Sequence, residues 1–344
     1  MRVTPLAVLV LVGCGAAHPT TRATYFDEDH VEAINGTRLH YRVRGWDRRH
    51  PYLVLLHGGP GGSALPFYPW GASLEHAVNV VYLDQRGAGL SQRARFADPA
   101  QPTPEEAAPF AIANQLRDLE GVRAQLGVTR WHVLGHSYGG MLGVEYVVAH
   151  PERVISYIHM DGLLSVPMID EDWLAYAERA LRETARLDPA STPRTDALQA
   201  RVAALRALPQ DERDRELDGV LGELRPERLR DRLPGADAYD ARLDAELRRY
   251  GVSPAAMSAP EPGLALGVAE HFATRDVLAL LPRVTRPTLV IGGVQDPIVP
   301  PGRAELAHAR IPGSRLVLID QAGHDPFKDQ PDAVTRAVLA HVAP

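Results

Sequence analysis

Six short apolar runs punctuate the chain: YLVLLH (52–57), NVVYLD (79–84), WHVLGH (131–136), VISYIHMD (154–161), TLVIGG (288–293) and RLVLID (315–320). They are continuous rather than alternating and too short for buried helices, so each reads as a strand covered on both faces. The stretches between several of them carry helical spacing instead: PFAIANQLRDLEGVRAQLG, GGMLGVEYVVAHPERV and PDAVTRAVLAHVA. Such an alternation predicts an α/β fold, with a mostly parallel central sheet and helices on both faces. Ahead of it, HVEAI and TRLHYRVRG flank Asn35-Gly36, a dipeptide that suits the type I′ turn of a hairpin.

The alternation stops between about Leu164 and Leu281, where no run reads as a strand. WLAYAERALRETARL puts Trp173, Tyr176, Ala177, Ala180, Leu181, Thr184 and Leu187 at helical spacing, and DALQARVAALRAL and YDARLDAELRRY are similarly amphipathic. Their Arg, Asp and Glu residues read as a solvated face. A helical insertion over 164–281 thus divides a core of 25–163 and 282–344. It is expected over the C-terminal edge of the sheet, where α/β proteins bind ligands.

Two glycine-rich loops leave that edge. In HGGPGGSA (57–64), Gly59, Gly61 and Ala64 satisfy G-x-G-x-x-G/A, and Asp84 stands where an acid would hold a ribose. A pyrophosphate also needs a helix N-terminus at the glycines. Here the loop runs into SALPFYPWG, whose Pro66 and Pro69 disfavour helix and in which no helical period begins. The second loop, GHSYGG (135–140), places Gly135, Ser137 and Gly139 as G-x-S-x-G between a strand and a helix, the context of a nucleophile elbow.

A serine hydroxyl needs a base, and the base an orienting carboxylate. In the order Ser, acid, His, the loop after TLVIGG supplies Asp296 and the loop after RLVLID supplies His324, both on the edge that Ser137 leaves. Asp161 is the substitute acid. Asp320 and Asp325 read as surface or loop-capping groups, and His132, His136 and His150 as packing or capping residues. The chain has no HExxH pair or other metal spacing, so neither a metal nor a cofactor is expected.

HGGPGG, DQRGAGLS (84–91), GHSYGG and the Asp296 and His324 loops together resemble the α/β-hydrolase family. More narrowly they resemble the proline iminopeptidase group of serine aminopeptidases, from about Glu32 to the C-terminus. The resemblance implies that the insertion is a cap domain and that the backbone N–H groups of Gly59 and Tyr138 form an oxyanion hole. His57, Pro60, Asp84 and Arg86 read as residues that hold the two loops in place rather than touch substrate, and a buried Asp84–Arg86 pair is one way to brace the hole. The implied reaction is acyl transfer from a short peptide; an esterase, lactonase or amidase on the same triad is the alternative, and a non-catalytic ligand-binding protein a remote one. The group's exopeptidases bind the substrate's free α-amino group with acidic cap residues. MSAPEPG (257–263) resembles their MxGPxE-like stretch and makes Glu261 the candidate, with Ala259 in place of a glycine and the glutamate one place early. Glu183 and Asp188 are weaker candidates.

The N-terminus, MRVTPLAVLVLVGCGAAH, has Arg2, an apolar segment from Leu6 to Val12 and small residues around Cys14. This is the layout of a secretory signal and is too short for a permanent membrane span. LVGC resembles the bacterial lipoprotein signal. That resemblance implies a signal peptide over 1–13, lipidation of Cys14, a linker through residue 24, and a protein exported and anchored in the cell envelope; a secreted or periplasmic protein is the alternative. Cys14 is the sole cysteine, which excludes an intramolecular disulfide and a thiolate zinc cluster. A formal net charge of -6 offers no basic surface for nucleic acid. The single lysine, Lys328, lies in no phosphate-binding or Schiff-base motif. The expected partners are therefore a short peptide or small molecule and, through the lipid, a membrane.

Overall fold

Asn35 and Gly36 take φ values of 47° and 76°, the positive angles that a type I′ turn requires. They join β1 (Phe26–Ile34) to β2 (Thr37–Gly45) in an antiparallel hairpin. The computed structural model to which this hairpin belongs describes residues 24–98, 101–187, 189–208, 213, 216, 236–253, 259 and 261–343. The signal segment with Cys14 lies outside them.

All six apolar runs are strands: β3 (Tyr52–Leu56), β4 (Asn79–Leu83), β5 (Trp131–His136), β6 (Val154–Met160), β7 (Thr288–Gly293) and β8 (Arg315–Ile319). Four of them end one residue short of the apolar run, releasing His57, Asp84, Asp161 and Asp320 into the loops of the C-terminal edge. The sheet order is β1-β2-β4-β3-β5-β6-β7-β8. β2 pairs antiparallel with β4, and every later neighbour is parallel. Successive residues of β3 serve opposite faces, as a pleated strand must. Val54 and Leu56 join one core and Leu53 and Leu55 the other. The first face is covered by α3 (Ile112–Gln125), α4 (Tyr138–Ala149) and α9 (Pro301–Arg310). The second is covered by α1 (Tyr68–Gly71), α10 (Pro326–Asp329) and α11 (Pro331–Val342). A further single turn, α2 (Pro104–Ala107), precedes α3.

The stretch SALPFYPWG departs from expectation. It forms a 3-10 turn over Leu65–Phe67 followed by α1, with Pro66 and Pro69 near the start of each. The first N–H groups of a helix have no intrahelical acceptor, so proline there removes nothing. The helical turns begin after Ala64, beyond the glycines.

Between β6 and β7 run α5 (Ile169–Leu187), α6 (Thr192–Leu205), α7 (Ala236–Tyr250) and α8 (Glu261–Glu270). Both ends of this segment pass through one neck: Ser165 bridges Asp276, Val166 N–H donates to Arg275 O at 2.8 Å, and Val277 N–H to Leu164 O at 2.8 Å. α5 and α6 share a small core of Leu174, Ala177, Leu181, Leu198, Val202 and Leu205. Ion pairs then tie the helices to the core. Asp172 of α5 accepts from Arg303 of α9 at 2.8 Å. Glu270 of α8 accepts from Arg275 at 3.1 Å and from Ile112 N–H, at the start of α3, at 3.0 Å. Glu246 of α7 accepts from Arg42 at 2.8 Å and Arg44 at 2.7 Å. Glu246 therefore corrects the reading of these charges as a solvated face: it lies toward the sheet and compensates two buried guanidiniums, which would be costly without partners.

Candidate active site

β5 ends at His136 and α4 begins at Tyr138, leaving Ser137 alone at the turn with φ 55° and ψ -124°. A residue with a side chain held there stores about 1–3 kcal/mol of strain, and the backbone is fixed from both sides. Ser137 N–H donates to Met160 O at 3.3 Å, and Ser137 O accepts from Gly140 and Leu163, each at 2.9 Å. A Cβ on Gly135 would stand 2.1 Å from Gly139 O, and one on Gly139 would stand 2.1 Å from Leu56 O. The tight strand-to-helix turn thus depends on both glycines. Gly58, in the first loop, faces the serine: a Cβ there would stand 3.2 Å from Ser137 Oγ.

Asp296 is wholly buried after β7. Its Oδ1 accepts from Ile298 N–H at 2.7 Å and Val299 N–H at 2.9 Å, while Oδ2 lies 2.8 Å from His324 Nδ1. Burial opposes a charge on His324, but the Asp296 carboxylate, through charge and hydrogen bond, outweighs it and raises the imidazole above its ordinary value. The carbonyl of His324 lies 2.7 Å from His136 Nε2. Burial first, then the neighbouring His324, lowers His136 to about 4, so at neutral pH it is an uncharged latch on the His324 loop. Asp161 is not the partner of His324; its Oδ1 accepts from Gly293 N–H at 2.7 Å. Asp325 pairs with Lys328 at 2.6 Å, and Asp320 accepts from Gln321 N–H at 2.9 Å. His132 lies 2.8 Å from Ser156 Oγ, and His150 stands at the C-terminal cap of α4.

In the first loop Gly59 has φ 124°, and a Cβ there would lie 2.5 Å from Gly61 N, so that position admits no side chain without rearrangement. Tyr138 is the first residue of α4, and its N–H is one of the donors that no helix can use internally. Its phenol is pinned below, donating to Gln115 Oε1 at 2.9 Å.

Asp84 closes the nucleotide question. Its Oδ1 accepts from Ala64 N–H at 2.8 Å, its Oδ2 accepts from Leu90 N–H at 2.9 Å, and His40 Nδ1 lies 2.8 Å away. The acid that a ribose would need is spent on the protein's own loops. Asp84 does not pair with Arg86, contrary to the bracing pair expected. Arg86 forks onto Asp118 of α3 at 2.8 and 2.6 Å, because each acid and base finds a nearer partner. His57 links the loops: its Nδ1 lies 2.8 Å from Gly58 O, and its Nε2 accepts from Gln85 N–H at 3.1 Å.

The start of α8 lies against the same loop. Ala259 N–H donates to Gly61 O at 2.8 Å, and Pro262 stands beside Gly61 and Gly87. Glu261 is between them, and its Oε2 is buried without a hydrogen-bond partner among the described residues. An unpaired buried carboxylate oxygen is costly and calls for a donor. The Glu183 side chain, Asp188, Met257, Ser258 and Pro260 lie outside the described residues.

Three residues of this network escape a reading by motif: His40, Asp118 and Glu246. Two had a signal. Asp118 falls on the buried stripe of α3 with Gln115, Leu119 and Val122, and Glu246 lies two turns along the same face from buried Tyr239 and beside buried Leu247 of α7. A lone acid on an apolar stripe points to a buried partner.

A family model described as the alpha/beta hydrolase fold matches residues 51–331. The chain is 27% identical over 310 residues to a proline iminopeptidase of Saccharolobus solfataricus, across 89% of each chain. Among solved structures it is 26% identical, with a TM-score of 0.64, to a proline iminopeptidase-related protein from Thermus thermophilus, across 93% of this chain and 99% of that one. It is also similar to a thermophilic esterase from Thermogutta terrifontis, at 25% identity and a TM-score of 0.56, across 94% and 100% of the two chains.

Proposed function

Because the chain belongs to the α/β-hydrolase fold family, we propose that it is a serine hydrolase, an aminopeptidase releasing proline or another N-terminal residue from short peptides. The Asp296–His324 pair at 2.8 Å, on the sheet edge from which Ser137 emerges, supports acyl transfer. In this reading Asp296 orients His324, whose Nε2 takes the proton of Ser137 as the serine oxygen bonds to the scissile carbonyl. The oxyanion is met by the N–H groups of Gly59 and Tyr138, a donor of this kind being worth about 3 kcal/mol. His324 then protonates the leaving amine as the C–N bond breaks, and water deacylates the serine by the same route.

The observation that carries the aminopeptidase reading is the unpartnered, buried Oε2 of Glu261, on a segment bonded directly to the oxyanion loop. A substrate ammonium supplies the donor this oxygen lacks, and neutralises it where an N-acetylated substrate cannot. The esterase reading stands second, favoured by the likeness to the Thermogutta terrifontis enzyme and by the two departures from MxGPxE.

The test is hydrolysis of a prolyl arylamide, its N-acetylated counterpart and a matched aryl ester, beside Ser137→Ala. Turnover of the free-amine substrate with the acetylated one inert supports the aminopeptidase. Turnover of the ester with both amides inert replaces it with an esterase. We also propose that the mature chain starts at a lipidated Cys14 and is held in the cell envelope. Incorporation of labelled palmitate, lost in Cys14→Ala, is expected; an unlabelled, freely soluble protein refutes it.

A further inference from the structure

A carboxyl group behind Asp296 has no part in the chemistry above. Asp161 leaves β6 with a left-handed backbone, φ 42°, and its N–H donates to Ile291 O at 2.9 Å. Its Oδ1 accepts from Gly293 N–H, while Oδ2 is buried and receives no hydrogen bond among the described residues. Gly293 ties Asp161 to Asp296, its N–H donating to Asp161 Oδ1 and its O accepting from Asp296 N–H at 3.2 Å, and this brings the two buried carboxyls together. Two ionised carboxylates in a dry contact repel strongly, and neither can donate. One proton removes both difficulties, and the donors decide where it resides. Asp296 accepts from Ile298 and Val299 and faces His324, which calls for a full negative charge; Asp161 accepts from one N–H, which leaves Oδ2 for the proton.

We propose that Asp161 carries this proton at neutral pH and acts as a positioning residue, its O–H donating to the Asp296 carboxylate and moderating how strongly that carboxylate favours a charged His324. The inference rests on the reading of Asp296 and His324 as orienter and base. Burial, then the charge of Asp296, pushes Asp161 well above the usual carboxylate range, in the direction that the geometry demands. The charged groups around the pair are Asp325 and Lys328 beside His324, and Asp172 with its partner Arg303 on the side of Asp296; the titratable His136 across from His324 is neutral at pH 7. No bond to the substrate is made or broken by Asp161, which keeps its proton throughout the cycle.

Asparagine is the informative replacement, since its amide N–H donates to Asp296 and its oxygen accepts from Gly293. Asp161→Asn is expected to keep kcat/KM within about threefold and the acidic limb of the pH profile within about 0.3 units. Asp161→Ala removes the donor, so the charge of Asp296 acts on His324 undiluted and raises the acidic limb by roughly half a unit to one unit, with kcat/KM about tenfold lower. Were Asp161 ionised, the Asn variant would lose a negative charge near His324 and its limb would fall by a similar amount, which overturns the proposal.

A second readout is independent of catalysis: the carbonyl stretch of a protonated carboxylic acid in the parent-minus-Asp161→Asn infrared difference spectrum at pH 7. Its presence supports the proposal and its absence overturns it, whether or not the Ala variant folds. If a fluorophosphonate fails to label Ser137 of the parent, the hydrolase reading falls, and the infrared band still decides where the proton resides.

Discussion

Gly61→Ala tests how the oxyanion loop and the start of α8 depend on one another. A Cβ at Gly61 would lie 1.8 Å from Ala259 O, about 1.6 Å short of ordinary van der Waals contact. The first loop is braced at both ends, by His57 with Gln85 and by Ala64 with Asp84, whereas one hydrogen bond from Ala259 holds the α8 segment to Gly61. The segment therefore yields and takes Glu261, two residues on, with it. Overpacking and the lost hydrogen bond cost about 2–3 kcal/mol, and the positive φ of 99° adds roughly 1 kcal/mol more. Gly127→Ala isolates that last contribution, because Gly127 has φ 66° with nothing within 4 Å of its added Cβ. Gly61→Ala is thus expected to melt roughly 5 °C below Gly127→Ala, at about 2 °C per kcal/mol for a chain of this size. A displacement above 1 Å lowers kcat/KM on the prolyl arylamide by about 100-fold. The aryl ester, which has no amine to place, loses less than about fivefold. Equal melting of the two variants, or an ester rate that falls as far as the arylamide rate, would refute the reasoning.

Arg42→Met removes one of the two buried guanidiniums that Asp27 and Glu246 share; because these acids are 25% and 21% exposed and keep Arg44, the cost falls below the usual 3–5 kcal/mol, to about 2 kcal/mol in urea unfolding. Glu246→Gln should cost less in that background than alone. His40 is raised to about 9, burial opposing its charge and the hydrogen bonds of Asp29 and Asp84 overcoming that. Its stabilisation, roughly 3 kcal/mol, is full below the ordinary imidazole value near 6.5 and is lost as pH rises through about 9. Urea midpoints at pH 7 and 10 should reveal this loss, and His40→Gln should flatten it. The acidic limb of kcat/KM should lie above pH 6.5, because Asp296 raises His324. In Asp296→Asn the rate should drop by about 10^4; a limb below 6.5 or a rate barely changed would count against His324 as base.

Five of the six strands were legible because burial on both faces leaves one pattern, an apolar run, with His57, Asp84 and Asp161 as polar endings; β8 at the sheet edge is apolar too but half-exposed, with Leu318 open to solvent, which corrects the expectation that every run is covered on both faces. The turn at Ser137 was legible because its glycines are forced by backbone contacts only 2.1 Å from a would-be Cβ. Long-range ion pairs were not. Glu246 reaches Arg42 across 204 positions, so its place beside buried Tyr239 and Leu247 signals a buried partner without revealing which guanidiniums it meets. The Asp84–Arg86 pairing failed similarly, since proximity in sequence could not reveal that His40 and Asp118 stand closer in space. The helical turns after Ala64 were missed because Pro66 and Pro69 were read as breakers at positions where they act as starters.

The neck at Leu164–Val166 and Arg275–Val277 bears on how such a fold changes over evolution. Since the core already holds both ends of the intervening segment together, the entropy of closing a longer one grows only logarithmically, by about 0.6 kcal/mol per doubling of length. New specificities can therefore be spliced in at this point while the sheet and its C-terminal edge stay as they are. A transplanted segment has a short set of obligations: an acid for Arg303, one for Arg42 and Arg44, one for Arg275 and the Ile112 N–H, donors for Asp27, Asp29 and the Pro66 carbonyl, and the N–H that meets Gly61 O. Everything else in it is free to drift toward another substrate.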